Sequence, residues 1–278
     1  MAPGFPLDCL LEPQMSQPTK ITSPIRLKDF SPNFHEGLDK DKAREKSLKF
    51  VERIADLQEL LHANSRQALL IILQGMDTSG KDGATRHVLH GVNPAGVETA
   101  NFKVPSAEEL AHDFLWRVHK VIPRYGNIGV FNRSHYEDVL IVRVMNLQPT
   151  PVWRARFDQI NTFEKHLVDN RVILLKFFLH ISKQEQAERL NARLEDSRKK
   201  WKFQPDDLKM RAHWPQFMKA YEDAINFCST KQAPWHIIPA NHKWYRDYLI
   251  SKIMLRTLEE LNLHWPKPHK DLAKFKVR

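Results

Sequence analysis

The residues best suited to chemistry lie in one short stretch, GMDTSGKDG, residues 75–83, directly after an apolar run. Gly75, Gly80 and Lys81 have the Walker A spacing, in which backbone N–H groups curl around phosphate oxygens and the lysine neutralises charge. The whole chain contains nine glycines, and three of them fall in this stretch. An ordinary strand-to-helix turn is the alternative. The apolar run before the loop and the helical pattern after it favour a phosphate-binding loop.

Two aspartates distinguish this loop from the common pattern. Asp82 stands where a Ser or Thr hydroxyl normally reaches Mg²⁺, and Asp77 lies inside the loop itself. A carboxylate next to bound phosphates is repelled unless a cation lies between them. We therefore predict that Asp77 holds Mg²⁺, directly or through its waters. The alternative is that Asp77 forms a turn by bonding to its own backbone.

A second candidate segment is GVFNRSHYEDVL, residues 129–140. Its apolar strand ends at Asn132, where a Walker B strand would carry an acid that meets the metal. Glu137 and Asp138 come shortly afterwards and can turn into the same crevice, and we choose Asp138 as the second metal ligand. Both acids could instead simply occupy the first turn of a helix, where its dipole favours them. Arg133 has the forked geometry that suits phosphate oxygens.

A third candidate is the strongly charged segment 183–214. Its cations are Arg189, Arg193, Arg198, Lys199, Lys200 and Lys202, with Trp201 among them. In nucleotide and phosphate kinases, a basic lid closes over the transferring group, excludes water and stabilises transition-state charge. The segment lies between two predicted strands, where such a fold can insert a lid. A solvated charged face is the alternative.

The elements that must position these residues follow from hydrophobic patterning. Helical periodicity covers 40–61, and a capping box formed by Ser106 and Glu109 opens a second predicted helix over 106–122. Further helices are predicted from residue 81, over 151–169 and over 243–261, and strands over 68–73, 127–134, 171–181 and 235–240. This alternation indicates a doubly wound, mostly parallel sheet.

Composition limits the function further. The chain has 278 residues, 42% of them apolar, and 43 Lys plus Arg against 33 Asp plus Glu, a formal net charge of +10. Such a surface attracts polyanions, so nucleic acid, acidic membranes and phosphate-rich substrates remain open. Cys9 and Cys228 form neither a disulfide framework nor a zinc pattern. No signal peptide or membrane span is evident, so we expect a cytoplasmic protein.

Longer blocks of the sequence carry a resemblance. GMDTSGKDG, GVNPAGVETANFKVPS, DFLWRVHKVIPRYGNIGVFNRSHYEDVLIVRV, LKFFLHISKQEQAERL, WKF and APWHIIPANHKWYRDYLIS together resemble the polyphosphate kinase 2 family over about residues 30–262. The resemblance implies a thymidylate-kinase-like P-loop fold, a three-layer α/β sandwich with a mostly parallel sheet and a helical lid. It implies reversible, Mg²⁺-dependent phosphoryl transfer from inorganic polyphosphate to a nucleotide, with Mn²⁺ as a substitute, in a homodimer or homotetramer.

The block FNRSHYEDVL narrows the expected acceptor. Family members that prefer nucleoside diphosphates carry FDRSWYNRA here, whereas the FNRSHYEDVL form resembles the class that accepts both AMP and ADP, with ATP as the final product. Asn132 therefore replaces an aspartate. We expect an extended N-terminal arm over 1–40, one kinase domain over 41–265 with its lid at about 183–214, and a tail over 266–278.

The resemblance also implies roles for individual residues. Asp77, Lys81 and Arg133 are the expected catalytic residues, with Asp77 and Asp138 as metal ligands. Polyphosphate is expected at Gly80, Lys81, Asp82, Gly83, Arg86, Arg193, Arg198, Lys199 and Lys200. The nucleotide is expected at Lys103, Arg117, Asn132, Arg133 and Glu137.

Phosphoryl transfer needs mostly positioning and charge neutralisation, so no covalent nucleophile is required. His135 and His180 are accordingly expected to pack and not to carry phosphate. Two other functions remain as alternatives: an ATP-dependent nucleoside monophosphate kinase, and a basic P-loop protein that binds nucleic acid through Trp201 and Phe203. We expect neither nucleic acid nor a membrane as partner.

Overall fold

A computed structural model describes residues 20–268 and shows one five-stranded sheet. The strands are β1 (Ala68–Gln74), β2 (Val97–Asn101), β3 (Ile128–Asn132), β4 (Val172–His180) and β5 (Trp235–Pro239). They lie in the order β2-β3-β1-β4-β5, and every pairing among them is parallel. The predicted mostly parallel α/β fold is confirmed.

Helices cover the sheet in two layers. They are α1 (Lys40–Asn64), α2 (Lys81–Val88), α3 (Ala107–Leu110), α4 (Trp116–His119), α5 (Ile141–Val144), α6 (Thr150–Asp169), α7 (Lys183–Glu195), α8 (Pro205–Ala212), α9 (Trp214–Cys228) and α10 (Lys243–Glu260). Helices α1, α2 and α10 pack together in one layer, and α5, α6 and α9 in the other. The sheet between them gives the predicted three-layer arrangement.

The hydrophobic pattern explains why β1 is central. All seven residues of β1, ALLIILQ, are buried, as expected for a parallel strand covered on both faces. Helix α1 places Val51, Ile54, Leu57 and Leu61 on its buried face. The Asp39 carboxylate caps its start by accepting from Asp41 N and Lys42 N.

The structure corrects two of the predicted elements. Strand β2 was not predicted, because VETAN is a partly exposed edge strand without a continuous apolar run. The single helix predicted over 106–122 is in fact the two one-turn helices α3 and α4. The capping box of Ser106 and Glu109 is present, but Asp113 accepts a hydrogen bond from Leu115 N and forms a turn between the two.

Residues 20–39 pack against the rest of the chain and include one 3₁₀ helix, Leu27–Asp29, and several turns. Ile21 N donates to Trp235 O at 2.8 Å beside β5, and both Ile21 and Leu27 are buried. Helix α1 then begins at Lys40. The first 19 residues of the predicted arm and residues 269–278 of the predicted tail lie outside the described part of the chain. Within residues 20–268, no helix is both long and apolar enough to cross a bilayer.

Strand order determines where a ligand can bind. From β1 the chain reaches β2 and β3 on one side of the sheet, and it then crosses to β4 on the other side of β1. Crevices at such reversals, outside the carboxyl ends of parallel strands, are the usual ligand sites of open α/β sheets. Leu73 pairs with Asn132 in the register of β1 and β3, so residues 75–83 and 133–138 leave the sheet side by side.

Candidate active site

The Walker loop connects β1 to α2, and Lys81 is the first residue of that helix. The lysine side chain turns back into the loop, and its Nζ donates to Gly75 O at 2.8 Å and to Met76 O at 3.3 Å. Burial lowers the pKa of Lys81, while the nearby carboxylate of Asp77 acts in the opposite direction. The ammonium is thus held at the centre of the loop.

Two glycines are required by the close packing of this loop. Gly75 has φ +151°, and a Cβ there would lie 2.8 Å from Leu179 O and from Ser79 Oγ. Gly80 has φ +101°, and a Cβ there would overlap Nη1 of Arg246. A larger residue at either position would change the course of the loop.

Three buried polar atoms at the loop have no hydrogen-bond partner within the described residues: Thr78 Oγ1, Ser79 Oγ and Gln74 Oε1. Buried hydroxyls are normally satisfied, so unpaired ones in a native fold require an explanation. The hydroxyls of Thr78 and Ser79 can donate to phosphate oxygens. The loop therefore has the chemistry of a phosphate site.

Arg133 and Asp77 meet across the crevice. Arg133 follows β3 directly, has φ +63°, and is fixed by its N–H, which donates to Leu73 O at 3.0 Å. Its Nη2 donates to Asp77 Oδ1 at 2.7 Å. Burial opposes the charge of Arg133, but Glu137 and Asp77 outweigh it and raise the pKa above its usual value. The guanidinium therefore stays charged beside the Walker loop.

The two acids that follow Arg133 point in different directions. Burial raises the pKa of Glu137, while Arg133 and Lys81 act to lower it, so its carboxyl group belongs to the charge cluster of the loop. Asp138 instead accepts from Arg156 Nη1 at 2.9 Å and lies 3.9 Å from Arg117 Nη2. The structure thus brings Glu137, and not our chosen Asp138, to Lys81 and Arg133.

The carboxylates of Asp77 and Glu137 are suited to bind Mg²⁺ together with the phosphate oxygens of a substrate. Mg²⁺ in phosphoryl-transfer sites is usually held by one or two carboxylates together with phosphate oxygens and waters. Asp77 and Glu137 provide two carboxylates in one charge cluster. Among residues 20–268, no group of three or more His, Cys, Asp or Glu could hold a metal by itself.

Asp82 does not line the loop as a phosphate ligand would. Its Oδ1 accepts from Asn132 Nδ2 at 2.6 Å, and its Oδ2 lies 3.5 Å from Lys202 Nζ. Asp82 therefore connects the start of α2 both to the end of β3 and to segment 183–214. Asn132, a predicted nucleotide ligand, lies at the same point.

Segment 183–214 comprises α7, a 3₁₀ turn at Lys200–Lys202 and α8. Arg193 donates to Lys202 O at 3.3 Å and to Asp207 Oδ2 at 3.4 Å, which holds the turn against α8. Lys202 approaches α2 through Asp82, and Gln186 and Arg189 of α7 donate to backbone oxygens of the Walker loop. Four predicted polyphosphate ligands lie elsewhere.

Those four are solvent-exposed cations. Arg198 and Lys199 both pair with Asp196, at 3.1 Å and 2.6 Å, and Arg86 lies on the exposed side of α2. Lys200 is exposed in the 3₁₀ turn. Within residues 20–268 none of these four side chains contacts the loop, so polyphosphate binding by Arg198, Lys199 or Lys200 requires the segment to move.

Two arginines support the loop from the protein side: Arg189, one of the predicted lid cations, and Arg246, which we did not predict. Arg189 donates from Nη1 to Thr78 O at 2.9 Å and Ser79 O at 3.1 Å, and from Nη2 to Ala240 O at 2.6 Å. Arg246, only 3% exposed, packs against Gly80 and pairs with its neighbour Asp247. In the sequence, Arg246 could have been recognised as a candidate because it is a cation on an otherwise apolar face of the helix α10.

The predicted acceptor residues lie at the carboxyl end of β2. Arg117 is 8% exposed, donates to Lys103 O at 3.0 Å and packs over the ring of Phe102 at 5.3 Å. Lys103, Arg117 and Glu109 line a cavity of about 210 Å³ there. The cavity lies on the side of the crevice away from β4, since β2 is the edge strand beyond β3.

A phosphate loop after β1, a charged cluster after β3 and a helical segment over the crevice define a P-loop phosphotransferase. The family model of polyphosphate kinase 2 matches residues 37–265 of this chain. The chain therefore belongs to the polyphosphate kinase 2 family, and the resemblance seen in the sequence is confirmed.

Individual relatives agree with this membership. An AMP/ADP-polyphosphate phosphotransferase of Meiothermus ruber is 49% identical over 246 residues, which cover 88% of this chain and 92% of the relative. An ADP-polyphosphate phosphotransferase of Rhodopseudomonas palustris is 44% identical over 229 residues, 78% of this chain and 79% of the relative. The crystal structure of polyphosphate kinase 2 from Arthrobacter aurescens matches with a TM-score of 0.89 and 41% identity, covering 92% of this chain and 93% of that one.

Proposed function

We propose that this protein transfers the terminal phosphoryl group of inorganic polyphosphate to AMP and to ADP, in a reversible, Mg²⁺-dependent reaction. The observation that carries the proposal is the meeting of the Walker loop with Arg133, Asp77 and Glu137 at one end of the sheet, in a chain of this family. The Meiothermus ruber relative is named for AMP and ADP together.

The donor phosphates would bind where the backbone N–H groups of the loop, Lys81 and the unpaired hydroxyls of Thr78 and Ser79 converge. Arg133 would contact the transferring group and stabilise the charge that develops on it. Asp77 and Glu137 would hold Mg²⁺, or Mn²⁺ in its place, which supplies charge neutralisation on the phosphate oxygens.

No side chain is needed as a covalent carrier. His135 is fully buried with its Nε2 3.2 Å from Glu164 Oε1, and His180 Nε2 lies 3.1 Å from Phe30 O. In each imidazole Nε2 faces a protein group and Nδ1 is buried, which supports direct in-line transfer from donor to acceptor.

The nucleotide would enter from the cavity lined by Lys103 and Arg117, with its terminal phosphate toward Asn132 and Arg133. Asn132 is neutral, so it does not repel the phosphates of the acceptor. An aspartate at this position would do so and would restrict the site to an acceptor with one number of phosphates. This supports acceptance of both AMP and ADP by one site.

Several wider features belong to the same proposal. A formal charge of +10 suits a long polyanionic donor better than a single small nucleotide. Segment 183–214 would act as the lid, with Arg189 in contact with the Walker loop and Lys202 with Asp82. We place the reaction in the cytoplasm, consistent with a free, buried Cys228, and in a homodimer or homotetramer as the family resemblance implies.

The test is product analysis with pure protein, Mg²⁺ and either AMP or ADP, with polyphosphate or ATP as donor. We expect ADP and then ATP from AMP with polyphosphate alone, and no product after chelation of the metal. Activity with ATP and AMP but not with polyphosphate would point to a nucleoside monophosphate kinase. If only one nucleotide is phosphorylated by polyphosphate, dual acceptance is wrong.

A further inference from the structure

A network of charged and polar side chains lies in the core, directly behind the turn that carries Arg133 and Glu137. At its centre is Lys176 of β4, which is 0% exposed. Its Nζ donates to Glu164 Oε2 at 2.5 Å, to Cys228 O at 2.6 Å and to the Tyr136 hydroxyl at 2.9 Å. All three ammonium protons therefore have acceptors.

Glu164 connects this lysine to the turn. Its second oxygen, Oε1, accepts from the Tyr136 hydroxyl at 2.7 Å and from His135 Nε2 at 3.2 Å. Lys176 and His135 outweigh the effect of burial and keep the pKa of Glu164 below its usual value. Glu164 is thus an ionised carboxylate that holds two successive residues of the turn.

The two residues that Glu164 holds, His135 and Tyr136, lie between Arg133 and Glu137 in the chain. The 3₁₀ turn spans His135–Asp138, and it begins one residue after Ser134, whose hydroxyl accepts from Gln74 Nε2 at 3.1 Å. Arg133 precedes this anchored pair and Glu137 follows it. A rotation of the turn about the chain direction would therefore move both charged groups relative to the Walker loop.

Stability alone does not account for such a network. Removing two charges from water costs more than an ion pair in the core usually returns, and apolar replacements of similar size are often neutral or stabilising. The polar side-chain atoms of Tyr136, Glu164 and Lys176 are, however, all hydrogen-bonded, and a buried network satisfied in this way selects one arrangement of the groups it joins. Here the joined groups are β4, α6, α9 and the active-site turn.

We propose that Tyr136, Glu164 and Lys176 are positioning residues that hold the 3₁₀ turn so that Arg133 and Glu137 face the Walker loop. Within the described residues, the hydrogen bonds of these three side chains go to one another, to His135 and to Cys228 O, and none goes to the Walker loop, Arg133 or Glu137. Their effect on turnover depends on the proposed function, but their effect on the turn does not.

The test uses two variants of the full-length protein. Tyr136→Phe removes only the hydroxyl that joins the turn to the ion pair, and Glu164→Gln with Lys176→Met removes both charges together. The control is Lys165→Met with Asp169→Asn, which removes an ion pair of the same 2.5 Å length from the exposed side of the same helix.

The first measurement is amide hydrogen exchange, followed at Glu137, Val139 and Leu140, whose N–H groups donate to Ser134 O and Tyr136 O. We expect exchange at these three amides to rise at least about fivefold in both test variants, with other protected amides unchanged. The second measurement is turnover: kcat should fall about tenfold or more while KM for polyphosphate changes by less than about twofold, because the donor loop is intact.

The control variant should match the wild type in both measurements. Unchanged exchange at the turn in both test variants would overturn the proposal. A uniform rise in exchange over the whole protein would also overturn it, since the network would then act on general stability. If the wild-type protein does not use polyphosphate, the proposed function fails, and the exchange data still decide whether the network positions the turn.

Discussion

Gly80 offers a test of how the Walker loop is supported. It has φ +101°, and a Cβ at this position would overlap Nη1 of Arg246, which is buried and paired with Asp247. Gly91, just beyond α2, also has a positive φ, +77°, but its nearest heavy atom would be the Cβ of Ala55 at 3.9 Å. The two glycines therefore share the backbone requirement and differ in the contact with the arginine.

The expected magnitudes follow from this difference. An alanine in the left-handed region costs about 1 to 2 kcal/mol, which is all that Gly91→Ala should lose. Gly80→Ala must in addition displace the guanidinium from beneath the loop, and disrupting a buried ion pair costs about 3 kcal/mol or more. At about 3 °C per kcal/mol, the melting temperature should fall by about 3 to 6 °C for Gly91→Ala and by more than about 10 °C for Gly80→Ala.

The assay combines thermal unfolding with steady-state kinetics on both variants. Below its melting temperature, Gly80→Ala should also lose at least about tenfold in kcat/KM for polyphosphate, because the loop can no longer curl as it does around Lys81. Gly91→Ala should keep wild-type kinetics. Equal losses of stability in the two variants, with normal kinetics for Gly80→Ala, would refute the role assigned to Arg246.

Three further predictions concern the site, the core and the lid. Asp77→Asn, Lys81→Ala and Arg133→Ala should each reduce turnover at least about a hundredfold with the circular dichroism spectrum unchanged, because each removes preorganised charge; folded variants of near-normal activity would contradict these roles. Burial lowers the pKa of His236 from 6.5 to about 4, so the unfolded chain binds the extra proton first, and the free energy of unfolding should fall as the pH drops from 6.5 to 4. This loss is up to about 3 kcal/mol, and denaturant titrations of His236→Phe should show a correspondingly smaller one. Segment 183–214 should gain protection from proteases when polyphosphate binds, and unchanged cleavage with ligand bound would indicate a passive charged surface.

The sequence was sufficient for those elements whose apolar residues run without interruption. Strand β1 and its loop, β4 and β5 were predicted because most of their residues are apolar, as is typical of strands buried on both faces, although β4 also buries Lys176 and β5 buries His236. Strand β2 was missed because it is partly exposed and carries polar residues such as Glu98 and Asn101, whereas β5, at the other edge of the sheet, is fully buried.

Contacts made by long side chains were much harder to predict. Arg189 and Arg246 were visible as charges on helices, but the atoms they meet come from the Walker loop and from residues after β5, far away in the sequence. Asp82 was predicted at the phosphates and instead joins Asn132 to Lys202. Such pairings depend on how the layers are stacked, which hydrophobic periodicity does not specify.

The choice between Glu137 and Asp138 shows why local geometry decides the chemistry of a segment. Both lie in one 3₁₀ turn, where three residues make a full rotation and neighbours point about 120° apart. Residues three apart share a side, so Asp138 lies on the side of His135, toward the core and Arg156, while Glu137 points to the loop. In an α-helix, Glu137 and Asp138 would point about 100° apart. His135 and Asp138 would then no longer lie directly above one another. The 3₁₀ conformation that turns Asp138 away from the loop also places His135 beside Glu164. One backbone conformation therefore directs Glu137 toward the loop and anchors the other side of the turn to the core.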